Sequence, residues 1–159
     1  IIETETPLEI VRYGVVPDSA GAGCQRGGLA FIREFRLREG TAAFTLRSDR
    51  RRHPPYGVAG GRAGAPSRNL MLRADGRCEE LPTMPMGLIK MHAGDSFRHL
   101  SAGGGGYGDP RKRQKSEIIA DVLAGKLTQN AAMRDYGVSV ADSEIAAARE
   151  KFWRTGVED

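Results

Sequence analysis

The stretch "HLSAGGGGYGDPRKRQKSEIIADVLAGK", residues 99–126, decides between two folds. Gly103, Gly105 and Gly108 satisfy G-x-G-x-x-G between a strand-like segment and a helical one, the written form of a dinucleotide fingerprint. That fingerprint works only in a parallel βαβ unit with an acidic residue at the end of the next strand. Here the elements that follow read as two short helices. Asp109-Pro110 also stands where helix amides would meet a pyrophosphate, yet Pro110 has no N–H and Asp109 is anionic. A Walker loop would need Lys-Ser/Thr after its last glycine, and that dipeptide is missing. The alternative is a structural turn at Gly103, Gly104, Gly105, Gly106 and Gly108, where backbones cross too closely for any side chain. The surrounding sequence favours the turn.

Upstream, the periodicity is that of short strands. "LEIVRYGVV" (8–16) reads as a strand ended by Pro17-Asp18, and "SAGAGCQRGG" (19–28) as a glycine-rich connection. "LAFIREFRL" places Leu29, Phe31, Phe35 and Leu37 on one face and Glu34, Arg36 and Arg38 on the other. With "GTAAFTLRS" it predicts a hairpin turning at Glu39-Gly40. "RNLMLRA" (68–74) predicts a strand that turns at Asp75-Gly76 into "RCEEL". "GLIKMHA" and "SFRHLSA" predict another hairpin around Gly94-Asp95. Strands at this spacing fit an antiparallel sandwich or barrel-like sheet.

After Pro110 the pattern becomes helical. Ser116 is the expected cap of a helix stopped by Gly125, and Thr128 that of a second ending at Tyr136-Gly137. Asp142 or Ser143 opens a third, with Ile145, Ala148, Phe152 and Trp153 on one side and Gly156 beyond its end. The expected fold class is α+β: a mainly antiparallel β body over 1–110 and a helical tail over 111–159, packed as one unit.

Composition narrows the chemistry. The 159 residues suffice for one core, and 40% hydrophobic with 28% charged residues is ordinary for a globular chain. No apolar run reaches the length of a membrane span. Cys24 and Cys78 form no C-x-x-C pair, and His53, His92 and His99 are far apart in sequence, so neither a disulfide framework nor a metal site is expected. The net charge of +4 is mild, and its basic clusters "RSDRRRH" (47–53) and "RKRQK" (111–115) lack interleaved aromatic platforms. Nucleic-acid binding is therefore not expected. Between Asp49 and Ser67, prolines and glycines exclude regular structure. Structureless loops of this length are uncommon unless function or a partner holds them. Three adjacent guanidiniums repel one another, so Arg50, Arg51, Arg52 and His53 are the candidate substrate or interface residues.

Several motifs occur in order over residues 10–140: "YGVVPDSAGAGCQRGGLAFIREFRL", "LRSDRRRHPPYGVAGGRAGAPSRN", "GGGGYGDP" and "DVLAGKLTQNAAMRDYGV". Together they resemble the hydantoinase B/oxoprolinase family. The resemblance implies the C-terminal portion of a large subunit that works with a hydantoinase A-type partner in the cytoplasm, as a hetero-oligomer. It implies ATP-dependent opening of a cyclic amide by the whole enzyme, or, in ketone carboxylase members, carboxylation. ATP and a divalent metal would then belong to the whole enzyme, with none bound by this chain. The alternative from the residues themselves is a non-catalytic anion-binding or interaction module built on Arg50–His53. No catalytic residue can be assigned from the sequence.

Overall fold

The computed structural model describes residues 2–155, with side chains through residue 150. A short helix, α1 (Ile2–Glu5), precedes the strands β1 (Leu8–Val15), β2 (Phe31–Leu37), β3 (Thr41–Phe44) and β4 (Arg68–Leu72). β5 (Cys78–Glu80), β6 (Ile89–His92) and β7 (Ser96–Leu100) complete the β body. A five-stranded sheet in the order β1-β2-β7-β4-β5 and a two-stranded sheet β3-β6 are each antiparallel throughout. The sheets do not close into a barrel.

The predicted β4–β5 hairpin forms, with Gly76 at φ 88 in its turn and Met71 opposite Glu79. The two other predicted hairpins do not. β2 pairs with β7, and β3 pairs with β6. Glu39-Gly40 and Gly94-Asp95 are instead two halves of one corner, where a two-stranded ribbon bends from the large sheet into the small one. Backbone bonds tie the halves together: Gly94 N–H to Leu37 O at 2.7 Å, Leu37 N–H to Asp95 O at 2.9 Å and Ala93 N–H to Gly40 O at 3.0 Å. Such strand-switching corners let orthogonal or stacked sheets share strands.

The corner folds the small sheet onto one face of the large one. Ala42 lies opposite Met91 and Phe44 opposite Ile89, and these residues pack with Leu37, Met71 and Phe97. The Phe44 and Phe97 rings meet at 4.8 Å with a 52° tilt, a geometry that adds roughly 1 kcal/mol beyond area burial.

This cover explains a difference from the predicted facing of β2. Leu37 is buried under the small sheet, but Phe31, on the same face, lies beyond it and is 48% exposed. On the other face Ile32 and Glu34 are buried. Glu34, expected to point to solvent, instead accepts Arg98 Nε at 2.7 Å, which satisfies its buried charge.

Three helices follow. In α2 (Lys115–Leu123) the cap position is Gln114, without a side-chain bond, so Ser116 lies inside the helix and does not cap it. Gly125 ends the segment at φ 64. Thr128 caps α3 (Gln129–Ala131) by accepting Ala131 N–H at 3.1 Å, and the chain continues through a π turn to Tyr136 and Gly137. α4 (Asp142–Thr155) begins where Glu144 accepts the Ala141 N–H at 2.9 Å. The Phe152 and Trp153 side chains and Gly156 lie outside what is described. Ile118, Leu127, Ala131, Ala132, Tyr136 and Val140 form the tail's own core, and Ala22 of the β body enters it. Among the described residues, no helix is long and apolar enough to cross a membrane.

Candidate functional site

The glycine run 103–108 is the centre of a bundle of extended segments drawn from residues 19–28, 55–65 and 103–108. Gly103 N–H donates to Ala65 O, Gly104 N–H to Gly28 O and Gly106 N–H to Arg62 O, so successive bonds leave in different directions. Gly104 O accepts from Gly21 N–H and Gly106 O from Val58 N–H. A Cβ on Gly103, Gly105 or Gly106 would overlap the carbonyl groups of Ser19, Tyr56 or Ala22 respectively. The physical reason is the one that places glycine at the axis of collagen: chains packed backbone to backbone leave no room for side chains. In the run, Gly108 alone has positive φ, at 74, so close approach rather than left-handed backbone excludes side chains at the four consecutive glycines.

A phosphate cradle needs free N–H groups. Here the amides of Gly103, Gly104, Gly106, Tyr107 and Gly108 all donate to backbone carbonyls of neighbouring segments. The run therefore does not fit the phosphates of ATP. Among the described residues, no group of three or more His, Cys, Asp or Glu side chains is placed to hold a metal ion.

Arg50, Arg51, Arg52 and His53 are brought together along one side of an open groove of 510 Å³, completed by Ser48, Asp49, Pro82 and Thr83. They are not equivalent. Arg50, Arg52 and His53 are exposed, and Arg50 has φ 59. Arg51 is half-buried: its Nη2 donates to Leu81 O at 2.6 Å and lies 3.3 Å from Glu80. Glu80 is shared with Arg68, whose Nε lies 3.2 Å away. Arg68, hydrogen-bonded to Glu80, holds that carboxyl below the usual range, with Arg51 adding to the attraction. Arg51 therefore fastens the loop to β5 within this chain.

Two arrangements carry no signal in the sequence. Asp121 of α2, buried, accepts Arg26 Nε and Arg113 Nη2, each at 2.9 Å, and fastens the helical tail to the bundle. Arg62 and Asp135 add a second tie at 2.9 Å. Arg26 and Asp121 are too far apart along the chain for any local pattern to pair them. The other arrangement is a polar row across the large sheet in which Arg33, His99 and Asn69 lie side by side. His99 Nδ1 meets Asn69 Oδ1 at 2.7 Å, and Asn69 Nδ2 donates to Ser48 Oγ at 2.7 Å. Burial pushes the His99 imidazole's pKa down, and the Arg33 charge acts the same way.

A family model for hydantoinase B/oxoprolinase matches residues 1–110, the β body with its glycine bundle. The chain belongs to the hydantoinase B/oxoprolinase family. Within that family it is 34% identical over 146 residues to a protein of Pseudomonas sp. strain NS671 named as the B-type subunit of a D-/L-hydantoinase. That match takes in 90% of this chain and 24% of the relative. The crystal structure of the ATP-dependent caprolactamase from Pseudomonas jessenii superposes with a TM-score of 0.77 at 27% identity, over 94% of this chain and 27% of that one. An acetone carboxylase nucleotide-free structure shares the fold, with a TM-score of 0.71 at 18% identity over 98% of this chain and 26% of that one. This hydantoinase B/oxoprolinase chain thus spans about a quarter of the length of these three relatives.

Proposed function

We propose that the chain is the C-terminal segment of the large subunit of an ATP-dependent enzyme that opens cyclic amides, of hydantoinase or 5-oxoprolinase type. Its contribution is structure and subunit interface. The observation that carries this reading is the glycine bundle, which lies within the family match and in which the amides of Gly103, Gly104, Gly106, Tyr107 and Gly108 already donate to backbone carbonyls. The match to only 24% of the hydantoinase relative from Pseudomonas leaves room for nucleotide, metal and reacting groups elsewhere in the assembly. Its partners are then the remaining part of the large subunit and a hydantoinase A-type subunit, in a cytoplasmic hetero-oligomer. Exposed Arg50, Arg52 and His53 face that assembly, and Gly103 to Gly108 serve as the structural turn that holds the loop in place.

A second reading, a segment of a related ketone carboxylase, is supported by the fold shared with acetone carboxylase. One experiment separates them. The chain is co-expressed with the rest of the large subunit and the A-type partner, and the purified assembly is offered ATP with hydantoin, 5-oxoproline or caprolactam, or with acetone and bicarbonate. Ring opening with ATP consumption is the expected result; acetone carboxylation instead favours the second reading. An assembly that never forms, with a chain that binds anions alone, contradicts both and leaves an anion-binding module.

A further inference from the structure

The small sheet covers only part of the large sheet's face, and the remainder carries an apolar patch beside the Arg33–His99 row. The register places Ile10, Tyr13 and Val15 of β1 on that face, opposite Phe35, Arg33 and Phe31 of β2. Tyr13 is 63% exposed, Phe31 48%, Val15 45% and Ile10 41%. Scattered exposed apolar residues are normal, but four on adjacent strands make a contiguous patch of the kind that marks an interface. The strand edge is a weaker candidate, because Glu3 of α1 already accepts the Ile10 N–H at 2.8 Å.

The polar groups bordering the patch state what must cover it. The Arg33 guanidinium sits over the Tyr13 ring at 5.5 Å and has no carboxylate partner among the described residues. Next in the row is His99. Asn69 Nδ2 donates to Ser48 Oγ, which turns Asn69 Oδ1 toward His99 Nδ1, and in the tautomer with its proton on Nδ1 the ring donates to that oxygen. His99 Nε2 is then a bare acceptor, and no described residue donates to it. A second copy of this chain fits poorly: a twofold contact centred on Tyr13 would bring two Arg33 cations together.

We propose that this open half-face, with Tyr13 and Phe31 at its centre, is where the rest of the large subunit packs. The matching surface is apolar, with a carboxylate opposite Arg33 and a hydrogen-bond donor opposite His99 Nε2. The proposal rests on the reading of the chain as a segment of a larger enzyme, since the polypeptide outside the matched 24% is the occupant.

The test uses the assembled enzyme, with the photo-crosslinking residue p-benzoylphenylalanine in place of Tyr13 and, as a control, in place of exposed Glu117 on α2. After irradiation, crosslinked peptides are mapped by mass spectrometry, and assembly of Arg33→Glu is compared with that of Arg33→Lys. The expected result is a Tyr13 crosslink to large-subunit peptides outside this chain, none from Glu117, and at least a tenfold loss of assembly for Arg33→Glu that Arg33→Lys avoids. An intact assembly whose Tyr13 probe crosslinks nothing, or only a second copy of this chain, overturns the proposal while leaving the segment reading standing. Failure of the unmodified chain to assemble overturns both.

Discussion

The space that a Cβ on Gly105 would need is occupied by the carbonyl group of Tyr56, in a segment whose Pro55 and Val58 are both tied into the bundle by backbone bonds. Gly105→Ala must therefore move backbone, at a cost of about 2 kcal/mol by analogy with overpacked cores. Gly28 lies in the same bundle with nothing within 4 Å of its missing Cβ. Gly28→Ala should stay within about 0.5 kcal/mol of the parent. Urea denaturation of both variants checks this; equal stability would show that the bundle tolerates side chains.

Asp121 joins the helical tail to the bundle through Arg26, and Arg113 of the tail, which also donates to Cys24 O at 3.3 Å, completes the cluster. The Asp121 side chain is 8% exposed, and those of Arg26 and Arg113 are 18% and 9%. Removing the carboxylate leaves the Arg26 guanidinium without its anion and Arg113 with only Glu117, 4.0 Å away, which costs about 3 kcal/mol. Asp121→Ala should lower stability by that order in denaturant titrations, and limited proteolysis should release the tail beyond Pro110 first. A variant as stable as the parent would mean that the tail is held by its apolar core alone.

How much of the fold is legible in the sequence follows from the range of each interaction. The β4–β5 hairpin is readable because Asp75-Gly76 both turns the chain and joins the partners that pair. Glu39-Gly40 and Gly94-Asp95 give the same local signal, yet their strands pair elsewhere. Which strands pair there is decided by Phe44 and Ile89 burying against Phe97, contacts that no turn motif encodes. The glycine run announces close packing, but not its neighbours, because those come from segments up to about 80 residues away, at distances that backbone sterics alone do not specify. The arginine loop is visible as a charge cluster. That Arg51 differs from Arg50 and Arg52 is not, since it depends on where Glu80 and Leu81 O lie.

That difference is measurable. Arg51→Ala removes a hydrogen bond to Leu81 O and a partly exposed ion pair with Glu80, so it should destabilise the chain by about 1 kcal/mol. Arg52→Ala should change stability by less than about 0.5 kcal/mol while weakening assembly with the rest of the subunit. Thermal melts and a titration of assembly at two salt concentrations separate the effects. Unchanged assembly in Arg52→Ala would make this part of the loop a solvated turn.

Acid should lower the stability of the chain in two pH windows. Burial works to raise the Asp95 carboxyl, but the N–H groups of His92 and Ala74 and the Arg73 guanidinium outweigh it and hold it below the ordinary 3.8. A carboxyl depressed in the folded state takes its proton more readily when unfolded, so its contribution is present above about pH 4 and lost below. His99, held below its ordinary 6.5 by burial and by Arg33, likewise favours the folded state above that value and penalises it as the ring protonates. Urea midpoints measured from neutral to acidic pH should fall first through the His99 range and then through the Asp95 range. His99→Gln should flatten the first fall and Asp95→Asn the second; slopes unchanged in both variants would reassign the acid sensitivity to other groups.

The most direct test of the chain's place in the enzyme is substrate-dependent ATP hydrolysis, measured with the purified chain alone and with the complete assembly. The chain alone should show none with hydantoin, 5-oxoproline or caprolactam, because four of the five amides of its glycine turn are engaged and no described cluster of three or more His, Cys, Asp or Glu is placed to hold a metal. The assembly should couple ATP hydrolysis to ring opening, and should lose that coupling when this chain is omitted. Turnover by the isolated chain, or an assembly equally active without it, would contradict a structural and interfacial role.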